Sequence, residues 1–367
     1  SDSSERMNVL HVAPLNVAGV PYSMMDMQRR FGASARLVTL HKNFFTFPED
    51  ICLNIPLPRH RLARLWRTIK KGRTERVAGS SAQNPDTYHP VHKPNNAFES
   101  LYFRWDDSRR QRIVLEAIET HKLDDVEIVH YDGGLDFFRD ARVAKRWKEE
   151  GKKIVCHYMG SDLRVRGIDQ AMDELSDLNL TNESDHLLRH PNIHYIYIPF
   201  DVTPYKVRTT ENKGLRIIHS PTSRATKGTE LILPVIERVK RDRNIEFVLV
   251  EHKPHDEVVR IKETCDIAIE QVGNLGGTGY GRNSLETLAL GIPTITEMTP
   301  DYIAWLPENP FLLATPETLY DRLLELIDDP ELRAAKKVSG RRWVEKYHSY
   351  ESVHNRLMEL YREHHIV

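Results

Sequence analysis

The feature that most constrains this chain is the regular alternation of short β-branched runs with segments of helical period. Runs at 8–13, 35–40, 126–131, 153–158 and 193–198 read as strands, and a second series follows at 215–219, 245–250, 266–270, 294–297 and 311–313. Helical spacing falls at 22–31, 111–121 and 137–150, then in segments opening at Gly228, Asp256, Arg282 and Pro316. Strands buried on both faces and joined by amphipathic crossovers make parallel sheets, so the chain reads as α/β throughout. A length of 367 residues favours two domains over one. The join falls at Pro199-Phe200-Asp201-Val202-Thr203-Pro204, where two prolines stop both helix and central strand. The expected layout is a first domain over 7–200, a second over 205–345, and a terminal helical stretch, 346–367, placed to pack back on the first.

Chemistry concentrates in the second series. Gly276-Gly277-Thr278-Gly279-Tyr280-Gly281 runs into Arg282-Asn283-Ser284-Leu285-Glu286. Glycines allow tight backbone curvature, and a helix opening at Arg282 aims its amides and positive dipole end at an anion such as a diphosphate. Glu286, one turn in, accepts hydrogen bonds only when ionised and suits the two hydroxyls of a ribose. A glycine-rich loop by itself is equally an ordinary turn. Upstream, however, the strand 215–219 leads into Ser220-Pro221-Thr222-Ser223-Arg224-Ala225-Thr226-Lys227-Gly228. Loops at the carboxyl ends of parallel strands face the ligand crevice, which lets Arg224 and Lys227 converge on the same phosphates. The other reading is a solvated basic turn.

The order of these pieces, with Asp266-Ile267-Ala268-Ile269-Glu270-Gln271 before the glycine loop and Leu285-Glu286-Thr287-Leu288-Ala289-Leu290-Gly291-Ile292-Pro293 after it, resembles glycosyltransferase family 4. Trp343, Tyr347, His348 and Leu360-Tyr361 resemble the family's tail. Over the first half the resemblance rests on Asn16-Val17-Ala18-Gly19 and on His157-Tyr158-Met159-Gly160-Ser161-Asp162. The resemblance implies the GT-B architecture, two Rossmann-like domains facing each other across a cleft, and a retaining transferase using nucleoside-diphosphate sugars. It implies that Glu286 binds the donor ribose and that Lys227, with Arg224, neutralises the leaving diphosphate. It places Thr278, Gly279, Tyr280, Gly281, Arg282, Asn283 and Ser284 on the donor, and Gly160 and Asp162 on the wall of the site; Gly19, in the loop after the first strand, reads either as touching donor phosphate or acceptor or as an ordinary strand-to-helix turn. No cofactor and no obligatory metal are implied, and paired aspartates such as Asp106-Asp107 lack the strand-end setting of a metal signature.

The sequence also departs from the family's pattern. The family's first glutamate falls on Thr278, and its usual arginine falls on Thr222, which leaves Arg224 as a displaced substitute. The histidine many relatives carry before the Gly-Ser-Asp triplet is Met159 here. His157 lies two residues earlier on the same strand face, either taking that histidine's place in catalysis or serving as a satisfied core residue. His130 is a lesser candidate with the same two readings.

Partners must be local, because a formal charge of −1 gives no field that would draw nucleic acid. Between residues 51 and 74 no acidic residue occurs, while Arg59, Arg61, Arg64, Arg67, Lys70, Lys71 and Arg73 accumulate around Leu62, Leu65, Trp66 and Ile69 at helical spacing. Segment 59–73 therefore reads either as a basic amphipathic helix on an anionic membrane surface or as a helix whose apolar stripe packs inward. Cys52, Cys156 and Cys265 form no Cys-x-x-Cys pair, and no apolar run approaches the ~20 residues of a membrane span. The expected setting is cytoplasmic, peripheral on the inner membrane face. The reading is transfer of a sugar from a nucleotide-sugar donor to a glycan or lipid-linked glycan hydroxyl. A nucleotide-sugar 2-epimerase of the same fold and a degenerate donor-binding scaffold are the alternatives.

Overall fold

The computed structural model describes residues 7–56, 97–276 and 279–367. The basic segment 59–73 and Thr278 lie outside the described residues. The chain divides into two compact units, one of residues 1–43, 47–197 and 354–367, the other of residues 44–46 and 198–353.

Unit 1 is a parallel sheet of β1 (Asn8–Ala13), β2 (Ser34–Thr39), β3 (Ile51–Cys52), β4 (Ile128–Asp132), β5 (Lys153–Tyr158), β6 (Leu178–Thr181) and β7 (His194–Tyr195). Its order is β3-β2-β1-β4-β5-β6-β7, so the order reverses between β1 and β4. Helices α1 (Val20–Arg30), α2 (Ala97–Thr120), α3 (Arg142–Glu149) and α4 (Gln170–Leu175) belong to it. Unit 2 is a parallel sheet of β8 (Leu215–His219), β9 (Ile245–Leu249), β10 (Ile267–Gln271), β11 (Thr294–Thr296) and β12 (Leu312–Leu313), in the order β12-β11-β10-β8-β9, reversing between β8 and β10. It carries α5 (Arg224–Lys227), α6 (Thr229–Asp242), α7 (His255–Lys262), α8 (Arg282–Ala289), α9 (Pro300–Trp305), α10 (Leu319–Asp328) and α11 (Pro330–Tyr347). The last helix is α12 (Tyr350–Glu363). Among the described residues no helix is long and apolar enough to cross a membrane.

The period of two along each strand sorts the unit 1 core. Leu10, Val12, Val129, Tyr131, Ile154, Cys156 and Tyr158 pack with Val143 and Trp147 of α3. The alternate positions His11, His130 and His157 turn to the other side. There His11 Nε2 lies 2.6 Å from Gln28 Oε1, Gln28 Nε2 donates to Tyr361 Oη at 3.1 Å, and Tyr361 Oη meets His130 Nε2. A buried chain of polar contacts thus ties α1 and α12 to this sheet.

Several elements differ from the sequence reading. The helix read from 111 begins at Ala97, because the buried pair Asp106 and Arg110, and the buried Asp107, which accepts from the Arg139 amide, conceal its inner face. The helix read from 137 begins at Arg142, where the Val143 amide donates to Asp136 Oδ2 at 3.1 Å, and Phe137 and Phe138 are buried loop residues. The strand read over 193–198 contracts to His194–Tyr195, while β3 and β6 are additional. Helix α11 runs through Ser339-Gly340, and Gly340 sits against the Leu288 side chain, where a Cβ would come within 2.9 Å.

Candidate functional site

In a doubly wound sheet, ligands bind beyond the carboxyl ends of the strands where the order reverses. In unit 2 that point lies between β8 and β10. Beyond β8, Ser223 caps α5 by accepting from the Thr226 amide, and α5 ends at Gly228. Gly228 has φ +69°, and a Cβ there would stand 2.0 Å from the Val272 carbonyl oxygen, so only glycine lets this loop lie against the end of β10. The close approach delivers Lys227 to Glu270: Nζ donates to Glu270 Oε1 at 2.5 Å and to Gln271 Oε1 at 3.0 Å. Glu270 Oε2 accepts from Asn283 Nδ2 and Ser284 Oγ, both at 2.6 Å, and Ser220 Oγ donates to Asn283 Oδ1 at 2.8 Å. The loop after β8, the end of β10 and the first turn of α8 therefore form one network around a buried carboxylate. Burial opposes ionisation of Glu270, but Lys227 and the Ser284 and Asn283 donors outweigh it and keep its carboxyl below the ordinary range.

The glycine loop is shaped by packing beneath it. Gly279 has φ +131°, a Cβ there would meet Met298 Cγ at 2.5 Å, and its carbonyl accepts from Thr296 Oγ1. Tyr280 turns into an aromatic cluster with Tyr302, Phe311, Trp343 and His348, its hydroxyl 3.2 Å from His348 Nε2. Its ring thereby anchors the loop, and what it offers a ligand is backbone. Gly281 precedes α8, whose dipole end follows directly.

Glu286 is 2% exposed and takes three donors: Lys262 Nζ at 2.5 Å on Oε2, with His255 Nε2 at 2.5 Å and Arg282 Nε at 3.3 Å on Oε1. Burial pushes its carboxyl up, and Lys262, His255 and Arg282 together pull it down to about 2. It is thus a fixed, fully ionised acceptor at neutral pH whose two oxygens are already engaged by these three donors. Arg224 is half-buried and bridges Glu230 and Glu251 at 2.7 and 3.0 Å. Reaching a phosphate requires it to exchange those partners, which costs little for a solvent-screened pair. Glu270, Lys262 and His255 were not singled out from sequence. Their only signal there is a charged or polar residue at the end of an apolar strand or inside an amphipathic helix.

Unit 1 holds the remaining sequence candidates. Gly19, φ +68°, opens α1 beyond β1, but the amides there are engaged: Gly19 N–H donates to the Asn16 carbonyl, Val20 N–H to the Val17 carbonyl and Tyr22 N–H to Asn16 Oδ1, while Pro21 has none. These amides are not available to a phosphate. Beyond β5, Asp162 folds back so that Oδ2 accepts from the Met159 amide at 2.9 Å, which closes the Met159-Gly160-Ser161 turn around Gly160 at φ +55°. Burial holds the Asp162 carboxyl above its ordinary range against the pull of Arg166. His157 is 1% exposed, and burial, then His11, keep its imidazole neutral at about 4. At the ends of β4 and β5 the register pairs Asp132 with His157. Asp132 is buried, and burial and Asp162 raise its carboxyl well above the ordinary range.

No protein-family model and no curated protein sequence matches the chain. Solved structures do. Anabaena Alr3699/HepE in complex with UDP matches at TM-score 0.58 and 11% identity, over 97% of this chain and 100% of its own. The catalytic domain of starch synthase IV from Arabidopsis thaliana, bound to ADP and acarbose, matches at 0.56 and 11%, over 98% and 99%. A UDP-N-acetylglucosamine 2-epimerase matches at 0.53 and 12%, over 99% and 97%. The likeness is one of fold: two parallel-sheet α/β domains of the GT-B type, a fold shared by glycosyltransferases and an epimerase.

Proposed function

We propose that the chain is a glycosyltransferase that holds a nucleoside-diphosphate sugar in unit 2 and transfers the sugar, with retention of anomeric configuration, to a hydroxyl of a glycan or lipid-linked glycan. The observation that carries the reading is the network joining Lys227, Glu270, Asn283 and Ser284 at the point where the unit 2 strand order reverses, with the ionised Glu286 one turn further into α8. In this reading the cluster supplies a cation in Lys227, a helix dipole end at α8 and a ribose acceptor in Glu286. In support, the fold matches a protein solved with UDP and with UDP-glucose. The motif order of glycosyltransferase family 4 also runs through these same residues.

In the transfer, the bond from the anomeric carbon to the diphosphate oxygen breaks and negative charge grows on that oxygen. An ammonium carries three donors, and two from Lys227 reach Glu270 and Gln271, which leaves a third for the diphosphate in this reading. The first turn of α8 and Arg224 add to it, and these interactions strengthen as charge develops. The acceptor hydroxyl enters on the face the diphosphate leaves and gives its proton to the departing oxygen. No divalent ion is required, because cationic side chains balance the diphosphate. Gly160, Asp162, Gly19 and His157 shape the unit 1 side, and the basic segment 59–73 brings the enzyme to an anionic membrane surface on the cytoplasmic side.

Proton NMR of the product tests the chemistry. An α-linked donor gives an α-glycoside at a rate unchanged by EDTA, whereas a β-product overturns the retaining mechanism. Isomerisation of the donor sugar at C2 without transfer favours the epimerase.

A further inference from the structure

Apart from residues 44–46, unit 2 runs from Ile198 to Val353, and the segments near its two ends are joined. The Phe200 amide donates to the His348 carbonyl at 2.7 Å, and Phe200 bridges Ser349 in parallel pairing. The His348 side chain adds a second tie, with Nδ1 2.8 Å from the Ile198 carbonyl oxygen. A carbonyl oxygen only accepts, so Nδ1 carries the hydrogen. His348 is fully buried, and burial holds its imidazole at about 3, far below the ordinary value, which leaves Nε2 bare. That nitrogen lies 3.2 Å from the Tyr280 hydroxyl, which therefore donates to it. The residue on the other side of Gly281 reaches the same ends. The Arg282 guanidinium lies over the Phe200 ring, 5.4 Å from its centroid, while Arg282 Nε donates to Glu286 Oε1 at 3.3 Å. The junction of glycine loop and α8 is thus tied through Tyr280 to His348 and through Arg282 to Phe200.

Packing alone does not require this polar pair. Tyr302, Phe311 and Trp343 surround the Tyr280 ring, and a phenyl ring would fill the same space with no buried hydroxyl to satisfy. What the hydroxyl adds is direction. Stacked and edge-on rings tolerate sliding, whereas a hydrogen bond fixes the tip of the Tyr280 ring and, through the ring, the backbone from Gly279 to Gly281. We infer that His348 is a positioning residue that, through the Tyr280 hydroxyl, couples the glycine loop to the paired ends of unit 2, so that a nucleotide bound at the loop is felt at Phe200. The part played by the nucleotide rests on the donor reading, while the coupling itself stands apart from it. Linkage makes the effect reciprocal: whatever orders the paired ends strengthens nucleotide binding by the same factor.

Nitrogen NMR of the histidine rings and hydrogen exchange on the full chain test this. Wild type, Tyr280→Phe, His348→Phe and His348→Gln are compared, each shown folded by circular dichroism. In wild type the His348 ring carries its hydrogen on Nδ1. Without nucleotide, Tyr280→Phe and His348→Phe speed exchange of the Phe200 amide about tenfold, while the amides of α10 exchange as in wild type. His348→Gln keeps one donor and one acceptor and brings Phe200 back to within about threefold of wild type. Of UDP, ADP and GDP, whichever binds wild type slows Phe200 exchange there and not in Tyr280→Phe. A hydrogen on Nε2 of His348, Phe200 exchange in Tyr280→Phe within about twofold of wild type, or acceleration spread equally over α10 overturns the coupling. A bound nucleotide that leaves Phe200 exchange unchanged in wild type overturns its link to the ligand. Binding of none of the three by wild type would instead sink the donor reading, and the comparison without nucleotide still decides the coupling.

Discussion

Replacing Lys262 by methionine is a severe test of how unit 2 sustains Glu286. The two side chains are 1% and 2% exposed and meet at 2.5 Å. Holding the Glu286 carboxyl at about 2 instead of 4.5 corresponds to roughly 3 kcal/mol in favour of its ionised form at neutral pH, by ~1.4 kcal/mol per pH unit. Because the folded value is depressed, this stabilisation is complete above pH 4.5 and is lost as pH falls from there toward 2. Lys262 is the first of the groups that lower it. Removing one partner of a buried pair costs about 3–5 kcal/mol, and with His255 and Arg282 still on Oε1 the cost here falls toward the lower end of that range. Hydrogen exchange of the α8 amides is the local assay, and that cost appears as exchange faster by roughly two to four decades. The double variant Lys262→Met with Glu286→Gln removes the charge as well and recovers about half of the loss or more. Exchange in Lys262→Met within a factor of three of wild type, or a double variant less protected than the single one, would refute this reasoning.

Three further outcomes follow from the same structure. His11 and His157 are held near 4 by burial, below their ordinary 6.5, so the stability they lend unit 1 is complete above pH 6.5 and lost as pH falls to 4, up to roughly 3 kcal/mol each. In urea titrations, His11→Gln loses less stability over that window than wild type. Gly228→Ala combines a left-handed backbone with a Cβ 2.0 Å from the Val272 carbonyl oxygen and destabilises by about 2–5 kcal/mol in thermal melts, whereas Gly281→Ala, with nothing within 4 Å, costs far less. If segment 59–73 faces lipid, the protein sediments with anionic but not neutral vesicles and is released by salt, and replacing Arg64, Arg67 and Lys70 by glutamate abolishes this.

The α/β class, most strands and the helix opening at Arg282 were legible because β-branched runs and turn glycines act locally. Strand β6 was not: Leu-Asn-Leu-Thr lacks a β-branched run, and Asn179 is buried with its Nδ2 donating to the Asn192 carbonyl. The full extent of α2 was hidden because paired charges occupy buried positions that apolar periodicity would have marked. At the site, Lys227 and Glu286 were visible through the glycines and the family's motif order. Their partners were not, since Lys227 meets Glu270 across 43 residues and Glu286 meets Lys262 and His255 across 24 and 31, contacts that exist only once the sheet has formed.

The central claim, a nucleoside-diphosphate site in unit 2, is tested most directly by calorimetric titration of UDP, ADP and GDP into wild type, Lys227→Ala and Glu286→Ala. The account predicts saturable binding of at least one by wild type. Each variant, folded by circular dichroism, weakens it by about 1.5–3 kcal/mol, the worth of a charge-assisted hydrogen bond. No binding by wild type, or equal affinity in both variants, would contradict it.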